Sequence, residues 1–478
     1  MAEPVHVIIQ MRSTPSLAAA SFGAVAAAPA VFGISDLPGV RFDAAYSPVP
    51  IPPRPTAEAA LGIATTFTVS EPPSYVVRAT VQGDALPSFL DSTNANPAVV
   101  GVFADPRIQP IAVCPNGPIG TDLDVERGLQ VEELHRRGLD GSGVKVVVVD
   151  TGINLNYLRA RGKTPRFDAS LSWGPLEGQR LGDMPVDHGT MCAYDVCIAA
   201  AGCTLIDHPV LTSQAPRGSV MEGLLSDAVQ SYGLLLSYMS RAPQPFAGDH
   251  IPRTLVVNNS WGMFHPSWDF PVGEPQNYSD NADHPFNIIV ASLEAAGADI
   301  LFAAGNCGTE CPDGRCEGET TAGIFGANSS PAVTCVAGVV INKERIGYST
   351  KGPGRLEQSK PDIASFTHFA GSGVYTADGG TSAATPVAAG VVAAIRRLYP
   401  SSVLPPAQLR DLLRNTAERR GDRRFDYEYG YGVLDVQSLL EALEASTAGQ
   451  RAILQPQRTA ARRERAATEG ARPRARRR

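Results

Sequence analysis

The chain has 478 residues, of which 43% are hydrophobic and 19% charged, an ordinary globular composition with room for about two to three domains. Its net charge of −7 is unevenly spread, since residues 451–478 hold ten Arg against two Glu on an otherwise mildly acidic chain. No apolar run reaches the length of a membrane span, so no membrane partner is expected, and eight cysteines are too few in this length for a disulfide scaffold.

The opening "MAEPVHVIIQM" is acidic and then strand-like, unlike a secretory signal; Met11 to Ala30 would resemble a weak one only if translation began at Met11. "VHVIIQM" and "SYVVRATV" (74–81) read as strands around an Ala-rich helix and a Pro-rich stretch, "YSPVPIPPRPTAEA". "LPSFLDST" reads as a helix and "AVVGVFADPRIQPI" as a strand ending in a turn. Residues 1–111 are therefore expected to form a small α+β unit, and the turn-rich residues 112–124 a linker.

From residue 125 the texture changes. The helical "VERGLQVEELHRRG" precedes the near-continuous apolar strand "VKVVVVD", and "TLVVNNSWG", "ADILFAAGN" and "PAVTCVAGVV" follow at intervals. Such runs suit parallel strands buried on both faces, so residues 125–447 are expected to be a doubly wound α/β domain with helices on both faces. Residues 448–478 read as a disordered Arg-rich tail, with nucleic acid not an expected partner.

Three segments end in polar residues at the strand ends where an open α/β sheet places its ligands: Asp150, Asn258 to Gly262, and Asn306. A single "DTG" does not make an aspartic protease, which needs two carboxylates, and no G-x-G-x-x-G follows the strand to bind a nucleotide. His188 in "DHGTMCA" and Ser382 in "DGGTSAATPVAAG" complete a set: a nucleophilic serine needs a base, and the base needs an acid that fixes its tautomer. The alternative for the last stretch is a capped core helix without chemistry, in which Thr381 or Ser382 would be the N-cap and Pro386 would sit in the first turn.

In order, "VVVVDTGIN", "DHGTMCA", "NNSWG", "FAAGN", "GGTSAATP" and "YGYGVLD" resemble the signatures of subtilisin-like serine proteases, the S8 family, over residues 128–443. The resemblance implies a serine endopeptidase in which Ser382 is the nucleophile, His188 the general base and then acid, Asp150 the orienting carboxylate and Asn306 an oxyanion donor. It implies substrate binding by Ser260, Trp261, Gly262, Ala304 and Gly305, with Trp261 also offering a wall to an apolar side chain. Residues 1–111 resemble, more loosely, the family's ferredoxin-like propeptide, which implies a self-processing zymogen with its own N-terminal domain as intramolecular inhibitor and chaperone. No cofactor is implied for the chemistry, and structural calcium is an open expectation with no site to name.

Alternative readings are a dedicated processing enzyme for one partner, or a non-catalytic peptide-binding protein on the same fold. The absent signal slightly favours the cytoplasm, while a propeptide and disulfides would favour secretion. The loop "NCGTECPDGRCEGE" (306–319) is unusual. With Cys335, its Cys307, Cys311 and Cys316 could form disulfides, stay free or hold zinc, and Glu310, Asp313, Glu317 and Glu319 would favour a basic substrate side chain. Cys192, four residues past His188, is read as a buried helix residue with a prospect of thiol sensitivity.

Overall fold

The structure, a computed structural model, describes residues 4–22, 40–53, 73–110, 117–212, 221–240 and 254–445. The expected tail (448–478), Cys114 and the end of the Pro-rich stretch (54–59) lie outside these. No helix among the described residues is long and apolar enough to cross a membrane.

The N-terminal part is an antiparallel sheet with two helices. Its strands are β1 (Pro4–Met11), β2 (Val40–Phe42), β3 (Val49–Ile51), β4 (Ser74–Gln82) and β5 (Val99–Ala104), its helices α1 (Pro15–Phe22) and α2 (Leu86–Asn94). The order is β2-β4-β1-β5, with β3 also on β4. Pro50 sits in the three-residue β3, an edge position where its missing N–H costs no ladder bond. The strands alternate as a half-buried sheet must: Val7, Ile9 and Val77 pack with Leu17 and Phe89 of the helices, while Ile8, Val76 and Phe103 turn to the other face and join the core of the main domain. The "FADPRIQP" segment is two strands rather than one, with β6 (Arg107–Pro110) leaving the sheet altogether.

The main domain begins with α3 (Asp122–Gly128) and α4 (Val131–Arg136). The single helix expected here breaks at Gln130, which is left-handed at φ 51°, and the break lets Val125, Leu129 and Leu134 all reach the core. A seven-stranded parallel sheet follows, built from β7 (Lys145–Val149), β8 (Arg166–Phe167), β9 (Thr204–His208), β11 (Leu255–Asn259), β13 (Ala298–Ala303), β14 (Thr334–Val339) and β15 (Ile363–Phe366), in the order β15-β14-β13-β11-β7-β9-β8. Val146 and Val148 face one core and Val147 and Val149 the other, so both faces must be covered, which explains why the strand reads as an unbroken apolar run. Between them stand α5 (Leu155–Ala160), α6 (His188–Ala199), α7 (Leu225–Ser240) and α8 (Pro285–Ala295), with short strands β10 (Gly223–Leu224) and β12 (Trp261–Gly262), and after β15 come α9 (Thr381–Arg396) and α10 (Pro406–Thr416).

Helices α6 and α9 lie together on one face and both are wholly buried. Gly390 permits their contact, because a Cβ there would stand 2.4 Å from the Val196 carbonyl oxygen. The run of Ala and Gly in "TSAATPVAAG" is thus the residue pattern of a helix pressed against a neighbour on every side.

Candidate active site

Asp150 follows β7 at its carboxyl end and is fully buried; His188 opens α6, with Asp187 as its N-cap accepting from the His188 N–H. Gly189 lets the helix start close on the strand end, since a Cβ would lie 2.6 Å from the Gly152 oxygen. The Gly189 N–H donates to Thr151 Oγ1 (2.8 Å), and the Thr151 N–H to Asp150 Oδ1 (2.7 Å). His188 Nδ1 then lies 2.8 Å from Asp150 Oδ1 and 3.0 Å from Oδ2, which requires the proton on Nδ1 and leaves Nε2 basic. Nε2 is buried and without a partner among the described residues.

Ser382 is the second residue of α9. The N-cap is Gly380, at φ 73° and with no side chain to cap, so neither Thr381 nor Ser382 plays that part. Both are instead turned to the site. Pro386 lies in the helix interior, beyond the first turn, and cannot donate to the Ser382 carbonyl. That carbonyl accepts from Ser260 Oγ (2.9 Å) and the Cys192 thiol (3.6 Å) instead, so the missing helix bond becomes the tie between the serine, the Ser260 segment and α6. Ser382 Oγ donates to the Ser260 carbonyl (3.1 Å).

Asn306 follows β13, next to Ala304 and Gly305. Its side-chain oxygen accepts from the Thr381 N–H (3.0 Å) and Thr381 Oγ1 (3.1 Å), which fixes the amide's orientation and directs its NH₂ away from Thr381. All these groups converge at the carboxyl ends of β7, β11 and β13.

Beside them runs an edge prepared for an extended chain. β6 is antiparallel to both β10 and β12, with Ile108 opposite Gly223, Gln109 opposite Gly262 and Pro110 opposite Trp261. The Trp261 side chain is fully buried against Phe286 and Phe302. The expectation that it walls a substrate pocket is therefore corrected: β12 contributes its backbone there, while the indole anchors the strand to the core.

Ala304, Gly305, Asn306 and Gly262 border a pocket whose other walls include Met263, Phe264, Ile324, Phe325 and Thr350, none of which lies in a local motif. None of the four acidic residues expected to favour a basic side chain is among the lining residues. Glu310 pairs with Arg345 (2.5 Å) and Lys351 (3.1 Å), Asp313 with Arg315 (2.9 Å), and Glu319 accepts from Thr321. Two cationic partners hold the Glu310 carboxyl down at about 2 against the pull of desolvation. Cys307 and Cys316 form a disulfide, Cys311 is also disulfide-bonded, and Cys335 is a buried free thiol, so the four do not make a zinc site.

Among the described residues, the one group of three His, Cys, Asp or Glu donors within mutual ligand distance is Asp150, His188 and Cys192. Its nitrogen and sulfur donors do not suit calcium, which takes oxygen ligands. Burial pushes the Cys192 thiol well above the usual range, so it stays protonated, a weak donor to its neighbours.

A sequence profile of the Subtilase family matches residues 141–432. The chain is 26% identical to subtilisin E of Bacillus subtilis over 314 residues, 65% of this chain and 69% of that one. It is 33% identical to subtilisin DY of Bacillus licheniformis, covering 95% of that protein, and 26% identical to the serine protease AprX of Bacillus subtilis over 355 residues. Among solved structures it is similar in fold to fervidolysin from Fervidobacterium pennivorans, a keratinolytic enzyme related to subtilisin, with a TM-score of 0.56 and 16% identity; the match covers 92% of this chain and 61% of that one. With the profile spanning more than half of its length and the ordered strand-end motifs converging in space, the chain belongs to the subtilase family of serine endopeptidases.

Proposed function

We propose that the chain cleaves peptide bonds through an acyl-enzyme on Ser382, and that it is made as a zymogen whose first substrate is its own N-terminal unit. The observation that carries this is β6: the segment joining the N-terminal sheet to the main domain lies antiparallel between β10 and β12, the pairing an extended substrate would make by strand addition.

The chemistry follows from the groups present. Ser382 Oγ leaves the Ser260 carbonyl by a turn about χ1 and gives its proton to His188 Nε2 as it attacks the scissile carbonyl carbon. Asp150 holds the Nδ1 proton and stabilises the imidazolium. Negative charge gathers on the carbonyl oxygen, which meets the Asn306 amide and the backbone N–H of Ser382 at the start of a helix. His188 returns the proton to the leaving amine, the C–N bond breaks, and water repeats the sequence on the ester. No cofactor takes part in these steps.

The register names a bond. β6 ends with Pro110 opposite Trp261, and the residue before Trp261 is Ser260, whose carbonyl is 3.1 Å from the nucleophile, so the bond after the first residue past β6 is the one the serine would meet. Cleavage is therefore expected between Ile111 and Ala112. Intact mass and N-terminal sequencing of the purified full chain and of Ser382→Ala test this together. The reading expects a new N-terminus at Ala112 in the wild type alone, and two uncut chains would count against self-processing.

A further inference from the structure

Resting on that reading, the pocket beside Asn306 has a selectivity of its own: we infer that it accepts a short aliphatic side chain on the acyl side of the scissile bond and rejects aromatic and basic ones. The pocket lies between the β12 edge and the Ala304–Asn306 segment, and all its lining side chains are uncharged. About 20 Å³ is left open between them, of the order of one water molecule.

Each wall is held in place. Asn328 Nδ2 donates to the Trp261 carbonyl (2.8 Å) and to the Ala303 carbonyl (2.9 Å), fixing the spacing of the two strands that flank the pocket. The Cys307 N–H donates to Thr350 Oγ1 (2.8 Å), and the Cys307–Cys316 disulfide folds the 306–316 loop back on itself. Phe264 packs with Cys307, Cys316 and Ala303 in a small buried cluster. The Arg315 guanidinium covers the Phe264 ring at 3.9 Å, and Asp313 fixes the guanidinium in turn. Phe264 is thus clamped between a disulfide and a cation, and cannot swing aside for a larger guest without losing both contacts. A Lys or Arg side chain would meet only uncharged lining groups there, since Asp313 is already matched by Arg315, and would lose its hydration without gaining a counter-ion.

The test is a set of peptide p-nitroanilides identical except at the acyl-side residue (Ala, Val, Leu, Phe, Lys), assayed with the purified full chain and with Phe264→Ala and Arg315→Gln. The wild type is expected to favour Ala or Val over Phe and Lys by about 10- to 100-fold in kcat/KM. Phe264→Ala should raise the Phe-to-Ala ratio of kcat/KM by about tenfold, a readout that general loss of folded enzyme would not move. Arg315→Gln, which keeps the loop's polar surface, should raise the Lys-to-Ala ratio. Equal or better cleavage of the Phe or Lys substrate by the wild type would overturn the inference, as would ratios unmoved in both variants. Labelling of Ser382 by a fluorophosphonate, which carries no acyl-side side chain, separates the two readings. Labelling with the wrong preference defeats the pocket inference alone, whereas absence of labelling defeats the peptidase reading and the pocket inference with it.

Discussion

Two places in this molecule bury polar groups, and they do so on opposite terms. Around Ser382 the groups are held by a network of hydrogen bonds: the Thr151 N–H donates to Asp150, Thr381 fixes the Asn306 amide, and Ser260 holds the Ser382 carbonyl. At the junction of the N-terminal sheet with α7 and α8, full charges are buried and matched across long separations. Arg78 of β4, 7% exposed in its side chain, reaches Asp227 at the start of α7 (2.9 Å) and Asp43 (2.7 Å). Asp105 accepts from the Ser226 N–H (2.7 Å), and His284, the N-cap of α8, lies 2.8 Å through Nε2 from the Ala104 carbonyl. The first arrangement, on the function proposed, positions reacting atoms. The second joins two surfaces and depends on ionisation, since an unmatched charge there would cost more than the pair gains.

The same contrast decides what could be read from the chain. Asp150, His188, Asn306 and Ser382 each end a strand or open a helix inside a contiguous motif, so a few neighbouring residues both mark and build the position. The parallel sheet was legible because strands covered on both faces leave unbroken apolar runs. Arg78 carries no such mark: it sits in an apolar strand, and its partners lie 35 and 149 residues away. The pocket lining from Met263, Phe264, Phe325 and Thr350 escaped notice for the same reason. The place of Trp261 is not legible either, because a strand sends alternate side chains to opposite faces and the sequence does not say which face is the core.

Changes at the site should alter rate and leave the junction intact. Asp150→Asn, isosteric but unable to hold the Nδ1–H tautomer, is expected to lower kcat by about 10⁴-fold, the scale of losing this group in a serine protease triad. Asn306→Ala should cost about 10²- to 10³-fold in kcat with little change in KM, the range known for the oxyanion donor of this family. Steady-state kinetics beside urea unfolding checks both, and a loss of stability comparable to the loss of activation free energy would place these residues with the junction instead.

Changes at the junction should do the reverse. In the uncleavable Ser382→Ala background, Arg78→Ala leaves Asp227 and Asp43 without their cation. About 3 to 5 kcal/mol should then be lost from the urea transition that frees the N-terminal sheet. Fluorophosphonate labelling of the Arg78→Ala chain with Ser382 restored should persist. If the sheet holds as firmly without Arg78, the apolar contacts of Ile8, Val76 and Phe103 are what join the two surfaces.

Acid should act on the junction through His284. Desolvation lowers its pKa to about 4, and its ring is committed on both sides, Nδ1 accepting from the Phe286 N–H and Nε2 donating to Ala104. The folded value lies below the ordinary 6.5, so the unfolded chain binds the extra proton first. The stability contribution is therefore complete above pH 6.5 and is lost as pH falls toward 4, about 3 kcal/mol over that window. Asp227 runs the other way, since burial raises it to about 6 despite Arg78, and its protonation offsets part of the loss on acidification. In the Ser382→Ala chain, His284→Gln keeps a donor for Ala104 but cannot titrate, so the fall in unfolding free energy between pH 6.5 and 4 should shrink. An unchanged slope would shift the effect to His208, the other fully buried histidine lowered to about 4.

Cys192 is the smallest test and sits on the boundary of the comparison, a buried thiol beside Asp150 and His188. Its sulfur is 3.8 Å from both Asp150 Oδ2 and His188 Nδ1 and 3.6 Å from the Ser382 carbonyl, distances at which a thiol donates weakly. Ser260 already donates to that carbonyl at 2.9 Å, so removing the thiol leaves no acceptor bare. Cys192→Ala should therefore change kcat by only a few-fold, with the pH profile unmoved. A large loss would mean that the Ser382 carbonyl, left without a helix donor at Pro386, needs two donors, and the site would then depend on α6 for more than its histidine.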